Sequence, residues 1–193
     1  MRDTMCHIHF PDSNRIHDVE KNNQVSVSGT VGQVEKARQR LRKLSPLCVT
    51  CDLPNTCRYS FQEVQRSIGH PDIFVSMREE RNGKVKCILK GTEQKEVEMV
   101  KAIMILANMY RLQNDNSLLC HTTVHAHARL ESLLRDQSRK DEMQWLAQRT
   151  STHIIQSSSA ENGFELFILG PVAGILTARK YIIVSYSNCF ISL

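Results

Sequence analysis

Hydrophobic and polar positions repeat one pattern along the chain: a short apolar strand, a polar loop, a second strand ending at a glycine, and an amphipathic helix. Alternation over Cys6–Phe10 is typical of a half-buried strand, and apolar residues recur on one helical face over Val31–Leu44. The first and last copies occupy Cys6–Phe10, Val25–Gly29 and Val31–Leu44, and Thr152–Gln156, Phe164–Gly170 and Val172–Tyr186. Repetition at this length predicts several small modules of one architecture.

The register of the repeat supports this interpretation. At one constant offset, Gly29-Thr30-Val31 falls on Gly170-Pro171-Val172, and Ala37-Arg38 falls on Ala178-Arg179. A looser middle copy, with a residue inserted after its glycine, runs through Ile73–Met77, Val85–Gly91 and Val97–Met109. Agreement in element order, glycine position and helix start together is not expected by chance.

The last module carries the most complete set of elements. Strand Leu118–Val124 precedes two helical stretches, Ala128–Leu134 and Asp141–Arg149, and the strand, hairpin, strand and helix of the repeat follow. The predicted fold class is therefore α+β, with tandem β-α-α-β-β-α modules that each pack a three-stranded antiparallel sheet on three helices. The second module is predicted from strand Leu47–Leu53, a single helix Tyr59–Ile68 and an Asn82-Gly83 hairpin.

Four domain boundaries follow from this pattern. We expect half of a module over residues 1–46, a degenerate module over 47–113, a further module over 117–187, and a tail over 188–193. The first segment is too small to stand alone, because it lacks the strand and helices that should pack on it. It is expected to lean on the second module, to pair with another chain, or to belong to a fragment or truncated gene product.

Composition narrows the class of protein without selecting a function. The 193 residues are 41% hydrophobic and 23% charged, with a formal net charge of +5 that permits attraction to phosphates without requiring it. The apolar stretches are too short to span a bilayer, and Met1-Arg2-Asp3-Thr4 lacks the apolar core expected of a secretory signal. Seven cysteines are an odd number, which argues against a fully paired disulfide framework. We expect a cytoplasmic protein with no membrane contact.

Two segments carry a resemblance to a known family. Cys6-His7-Ile8-His9-Phe10-Pro11-Asp12-Ser13-Asn14-Arg15, with Asn23-Gln24-Val25-Ser26, resembles the Bicaudal-C family of tandem-KH proteins, and the element order is that of eukaryotic-type KH domains. The resemblance is dense over residues 1–54 and weaker beyond. It implies post-transcriptional control, in which KH modules hold single-stranded mRNA and recruit deadenylation or translation factors.

A KH module is expected to hold RNA at a Gly-x-x-Gly turn, where bare backbone approaches the phosphates. In the third module the corresponding segment, Arg135-Asp136-Gln137-Ser138-Arg139-Lys140, contains no glycine. Gly29-Thr30-Val31-Gly32 follows the last strand of its module and opens the last helix, so we interpret its glycines as structural. RNA contact is therefore predicted to be weak or dependent on a partner.

Side chains remain candidates for RNA contact. The candidates are His7, Ile8, His9, Arg135, Gln137, Arg139, Lys140, His153 and Ile154. The basic ones could pair with phosphates in a salt-sensitive, sequence-independent manner, and the strand histidines could stack on bases. The structural alternatives are a solvated helix-start loop, with Ser138 capping toward Asp141, and histidines that face solvent.

Two clusters contain residue types that bind metals: Cys48, Cys51 and Cys57, and His121, His125 and His127. Residues three apart on a strand point to opposite faces, and neither cluster shows a recognised metal spacing. No nucleophile with a base, phosphate-binding loop or paired carboxylates occurs. We expect no metal, no cofactor and no enzymatic activity.

Two functions remain open. One is a non-enzymatic KH-repeat protein of mRNA regulation with weak or partner-dependent RNA contact. The other is a protein-interaction or dimerisation scaffold, and possible homo-oligomer, whose KH modules no longer bind RNA.

Overall fold

A computed structural model of the chain describes residues 5–9, 26–54, 59–81, 83–112, 118–126, 128–159 and 163–186. The chain divides into two compact units, and the boundary falls between Ser45 and Pro46. Among these residues no helix has the length and apolar character needed to cross a membrane.

The first unit contains a two-stranded antiparallel sheet and one helix. Strand β1 (His7–His9) pairs with β2 (Ser26–Ser28), and Ile8 lies opposite Val27. Helix α1 (Val31–Lys43) begins where the repeat predicts. The backbone N–H of Thr30 donates to Gln33 Oε1 at 2.9 Å, which satisfies an amide that the helix itself leaves without a partner. The predicted loop at 11–23 lies outside the described residues.

The second unit is built on one six-stranded antiparallel sheet in the order β4-β5-β3-β6-β8-β7. Its strands are β3 (Pro46–Leu53), β4 (Phe74–Glu79), β5 (Val85–Thr92), β6 (Cys120–Ala126), β7 (His153–Ser159) and β8 (Gly163–Gly170). Its helices are α2 (Phe61–Ile68), α3 (Glu96–Met109), α4 (Ala128–Leu133), α5 (Gln137–Thr150) and α6 (Val172–Ser185), and a 3-10 turn, Glu93–Lys95, precedes α3.

Alternating burial along the strands explains where the core lies. On β3, Leu47, Val49 and Cys51 are fully buried, while Cys48 between them is exposed. The period of two therefore gives the sheet one apolar face, against which the apolar faces of the helices pack. The opposite orientation of Cys48 and Cys51 agrees with the prediction that residues three apart on a strand point to opposite faces.

The joint between β3 and β6 was not predicted. Each half of the sheet has the expected three strands, β4-β5-β3 and β6-β8-β7, and β3 pairs with β6 to join them. The N–H of Asp52 donates to the carbonyl of Leu119 at 3.1 Å, and the hydroxyl of Thr122 donates to the carbonyl of Cys48 at 2.7 Å. We call this joint, between residues 48–52 and 119–122, the β3–β6 junction.

A buried arginine of α6 reinforces the junction. The guanidinium of Arg179 donates to the carbonyl of Pro46 at 3.1 Å and forms an ion pair with Glu93. Burial lowers the pKa of Arg179 to about 10, which still leaves it charged at neutral pH. One side chain of the third predicted module thus contacts both the first strand of the second module and the 3-10 turn that precedes α3.

The start of α5 differs from the prediction. Helix α5 begins at Gln137 instead of Asp141, because Asp136 takes the helix N-cap position and the Gln137 amide donates to Asp141 Oδ1 at 2.8 Å across the first turn. Helix α3 begins at Glu96, one residue before the Val97 of the repeat, and follows the 3-10 turn Glu93–Lys95. The predicted hairpin between β4 and β5 is present, with Glu80 N–H donating to the Lys84 carbonyl at 2.8 Å, although Asn82 lies outside the described residues.

Replacing Arg179 by Gln should lower the free energy of unfolding by about 3 kcal/mol, because the half-buried Glu93 carboxylate and the Pro46 carbonyl lose their buried partner. The matched control is Arg38→Gln at the same repeat position of α1. Arg38 is 47% exposed and 4.0 Å from Glu35, whereas Arg179 is 9% exposed, so the control should cost about 0.5 kcal/mol or less. Urea denaturation followed by circular dichroism measures both, and equal losses would contradict the assignment.

Gly174→Ala should destabilise the second unit by about 1–3 kcal/mol through overpacking. A Cβ at Gly174 lies 2.2 Å from the backbone oxygen of Thr150, whereas a Cβ at Gly32 meets no atom within 4 Å. Gly32→Ala, also in the first turn of a helix, should therefore be neutral or stabilising by up to about 1 kcal/mol. Thermal denaturation of the two variants tests the difference, and a stable Gly174→Ala protein would be evidence against this close contact.

Candidate nucleic-acid interface

An open groove of about 610 Å³ runs between helix α5 and the edge strand β7. Lys140, Met143 and Ala147 line it from the helix, and Ile154 and Gln156 line it from the strand. The groove therefore combines an apolar surface with an ammonium group and an amide. Such a surface can accept a flat apolar ring and hydrogen-bond its edge.

The chain turns directly from α5 into β7, which fixes the two walls of the groove relative to each other. Ser151 adopts the left-handed conformation at φ 53°, and Thr152 N–H donates to the Ala147 carbonyl at 2.9 Å. The Thr150 hydroxyl donates to the Leu146 carbonyl at 2.7 Å and contacts the Thr152 hydroxyl at 2.8 Å. These bonds close the C-terminal end of α5 at the point where β7 begins.

The other end of α5 is held by a carboxylate, Glu142. It accepts hydrogen bonds from the Tyr181 hydroxyl at 2.8 Å, the Tyr186 hydroxyl at 2.7 Å and the Arg139 guanidinium at 2.8 Å. Burial acts to raise the pKa of Glu142, but the hydrogen bonds outweigh it and lower the pKa below its ordinary value. Burial and the bond to Glu142 raise the pKa of Tyr186 to about 12. Arg139 is thus committed to a structural contact.

The turn between α4 and α5 occupies the position expected for the Gly-x-x-Gly turn. The N–H groups of Leu134, Arg135 and Asp136 donate back to α4 carbonyls at 2.9, 3.4 and 3.2 Å. Within residues 128–159, Ser151 is the only residue other than glycine with a positive φ, so this turn contains no left-handed residue. The backbone here does not form the open phosphate-binding shape that bare glycines allow.

The alternative role predicted for Ser138, as a cap toward Asp141, is wrong. Ser138 lies inside α5, and its hydroxyl donates to Asp136 Oδ2 at 3.1 Å. Asp136 itself is the N-cap residue, and its carboxylate lies at the helix end where an anion would otherwise bind.

The candidate side chains of the third module separate into two groups. Arg135 forms an ion pair with Glu131 at 3.3 Å, and Gln137 and Arg139 are bonded within α5, so their nearest partners belong to the protein itself. Lys140, His153 and Ile154 all line the groove. His153 is exposed and Ile154 is half-buried. The structure thus brings together three of the six candidates of this module at one surface.

The candidates of the first unit lie on β1. His7 and His9 are exposed and Ile8 is half-buried, the same pattern that His153 and Ile154 show on β7. Ile8 lies opposite Val27 as Ile154 lies opposite Ile168. The two histidine–isoleucine pairs therefore occupy equivalent positions in their hairpins.

Sequence analysis missed the groove residues of α5. Met143, Gln144 and Ala147 follow Lys140 at helical spacing, so a helix starting at Gln137 places all four along one face. The predicted helix start at Asp141 placed Lys140 in a loop, so the shared helical face of Lys140 and Met143 was not recognised. Gln156, two residues after Ile154 on β7, also lines the groove. It was missed because no sequence pattern distinguishes it.

The second module has a smaller cavity of about 250 Å³, lined in part by Tyr59, Phe61 and Tyr110. Only α2, an eight-residue helix closed by Gly69 at φ 58°, is described between β3 and β4. Tyr59 donates to the Met109 carbonyl at 2.9 Å and so ties this region to α3. A pair of helices flanking a turn, as in the third module, is not seen in the described part of this segment.

Metal-ligand residue types are dispersed in the part of the chain that the structure describes. Across those residues no group of three or more His, Cys, Asp or Glu side chains is arranged to hold a metal. His125 contacts Glu165 at 2.9 Å, and burial lowers the pKa of His121. Cys57 and His127, named in the two predicted clusters, lie outside the described residues.

The first quarter of the chain is similar in sequence to known proteins. A family model described as KH domain matches residues 1–43. Over 54 residues, 28% of this chain, it is 57% identical to Protein bicaudal C homolog 1 of Mus musculus and 50% identical to Protein bicaudal C of Drosophila melanogaster. The matched segment spans 6% of the length of each of these relatives.

Similarity of structure extends over almost the whole chain. A solved structure described as KH domains superimposes with a TM-score of 0.70 over 95% of this chain and 54% of that chain, at 21% sequence identity. This match shows the fold, an α+β arrangement of tandem KH type. Together the matches confirm the predicted resemblance: the chain has a KH fold, and its 54 matched residues are similar to Bicaudal-C proteins.

Proposed function

We propose that this chain is a non-enzymatic KH-repeat protein of post-transcriptional mRNA regulation, whose own contact with single-stranded RNA is weak or depends on a partner. The observation that carries the proposal is the groove between α5 and β7, which is intact although the turn that leads into it lacks glycine. The proposed protein partners are deadenylation or translation factors, and the proposed location is the cytoplasm.

The groove supports RNA contact through its chemistry. Single-stranded RNA is bound by stacking of unpaired bases on flat or apolar side chains and by hydrogen bonds to their edges. Ile154 and Met143 provide apolar surface, and Gln144 and Gln156 provide amides. Lys140 has no ion-pair partner among the described carboxylates, so its ammonium is available to a phosphate.

The turn beside the groove supports weak contact. The backbone N–H groups of Arg135 and Asp136 are already bonded to α4, so they are not available to phosphate oxygens. The Asp136 carboxylate repels an approaching phosphate. Side chains at this turn can still attract RNA, but through charge alone, which gives salt-sensitive and sequence-independent affinity.

A specific observation favours the second candidate, a protein-interaction scaffold. In the second module the described helix before the hairpin, α2, has only eight residues, while β3 is occupied in pairing with β6. This module contributes to the fold of the unit chiefly by joining its neighbour. If the third module behaves in the same way, the KH fold serves assembly, including homo-oligomer formation, and RNA affinity is absent even at low salt.

Lys140→Ala should weaken binding of a fluorescently labelled single-stranded RNA several-fold, with the full chain starting from a Kd on the order of 10⁻⁵–10⁻⁴ M. It should also lower the slope of log K against log salt by about 0.7, the value for one phosphate contact to a single strand. Lys101→Ala, an exposed lysine of α3 that does not line the groove, is the control. Fluorescence anisotropy at several salt concentrations measures both; equal effects would place the contact elsewhere.

Introducing a Gly-x-x-Gly turn should strengthen RNA binding about tenfold or more. The variant combines Arg135→Gly and Ser138→Gly with Asp136→Lys, which permits left-handed backbone and removes the repelling carboxylate. Asp136→Lys alone is the control for charge. If the glycine variant keeps its circular dichroism spectrum and still binds no RNA, the groove is not competent and the scaffold function is favoured. Tight, sequence-selective binding by the unaltered chain would contradict the weak-contact proposal.

A further inference from the structure

Two buried cysteines face each other across the β3–β6 junction. Cys51 and Cys120 are register partners on β3 and β6, both are fully buried, and their sulfur atoms lie 3.4 Å apart. Both are free thiols, joined by a hydrogen bond. The pair occupies the joint between the two halves of the six-stranded sheet.

The backbone geometry at this position suits a disulfide. In an antiparallel pair, residues that exchange N–H···O bonds alternate with residues that do not, and the latter have Cα atoms about 4.5 Å apart. Asp52 and Leu119 form a hydrogen-bonded pair, since Asp52 N–H donates to the Leu119 carbonyl at 3.1 Å. Cys51 and Cys120, one residue further, therefore occupy a non-hydrogen-bonded position. A Cα separation of about 4.5 Å lies within the range of about 4.4–6.8 Å found for disulfides.

A third cysteine nearby is not the partner that the geometry favours. Cys87 is the register partner of Cys51 on β5 and is equally buried. The thiol of Cys51, however, points to Cys120, with which it makes its sulfur–sulfur contact. Cys87 is therefore a matched control, because it shares the strand pairing and burial but not the contact.

We propose that Cys51 and Cys120 are a redox modification site, at which a peroxide forms an intramolecular disulfide that covalently joins the two halves of the sheet. In the first step a cysteine thiolate attacks hydrogen peroxide, the O–O bond breaks, and a sulfenic acid and hydroxide form. The other thiol then displaces the sulfenic oxygen, which leaves as water. Two thiols are oxidised by two electrons in total, and one peroxide is reduced to two water molecules.

Access controls the rate of this reaction. The hydrogen bond with Cys120, and then burial, raise the pKa of the Cys51 thiol well above its ordinary value, so little reactive thiolate forms while the junction is closed. Oxidation accordingly requires a transient opening of the β3–β6 junction. The disulfide then holds the junction closed, because it restricts the separation of β3 and β6 in the opened and unfolded chain.

The experiment treats the full chain with hydrogen peroxide, with and without sub-denaturing urea, then alkylates the remaining thiols under denaturing conditions and maps disulfides by mass spectrometry. Cys48 and Cys57 share the tryptic peptide of Cys51, so fragmentation within that peptide is needed to assign the bond. We expect a Cys51–Cys120 link that forms faster in sub-denaturing urea. The oxidised protein should melt about 5–10 °C higher than the reduced one.

Three variants complete the test. Cys51→Ser and Cys120→Ser should each abolish the link and the rise in melting temperature, whereas Cys87→Ser should retain both. A bond from Cys51 to Cys87, bonds only between chains, or no bond even in sub-denaturing urea would each overturn the proposal. The mapping on the unaltered chain decides the question even if one serine variant fails to fold.

Discussion

The antiparallel pairing of β3 with β6 is the interaction on which the second unit depends. It turns two three-stranded sheets into one sheet with a continuous apolar face, so that a single core replaces two small ones. A module of about 70 residues buries a smaller fraction of its surface than one unit of twice that length, and is correspondingly less stable. Arg179 and Thr122 add side-chain bonds to backbone carbonyls on β3, which makes the short pairing specific.

This pairing also sets the position of the groove. Because β3 and β6 lie at the centre, β4 and β7 become the edges of the sheet, about 24 Å apart at five strand spacings. The groove lies against the edge strand β7, and of the junction residues only Leu119 lines it. The pairing that holds the modules together therefore leaves the surface proposed to contact RNA open. Stability and binding are carried by different residues, which is why variants at Arg179 and at Lys140 test separate properties.

Much of the fold was predictable because the local spacing of apolar residues determines the helices and strands. Helices α1 and α6 begin at Val31 and Val172, where the repeat places them, and the Gly29–Gly32 motif lies at the start of a last helix as predicted. The start of α5 was missed because Asp136 and Ser138 favour a loop by composition, whereas in the structure Asp136 takes the N-cap position and Gln137 and Ser138 lie in the first turn. The β3–β6 junction had no local signal, since it pairs residues 69 positions apart. Arg38 and Arg179 share a repeat position, yet only packing makes one exposed and the other buried.

The groove also explains why affinity in this chain is expected to come from cooperation with partners. A Gly-x-x-Gly turn supplies backbone donors that cost no side-chain ordering, whereas here each phosphate contact must order a long side chain such as Lys140 and displaces only counterions. Contacts of that kind are weak singly but add when several are held on one strand of RNA, because the second contact forms at a high effective concentration. A second RNA-binding protein, or a second copy of this chain, can supply those further contacts. Under the proposed function, the turn between α4 and α5, which lacks glycine, would make RNA occupancy of the groove depend on assembly with a partner.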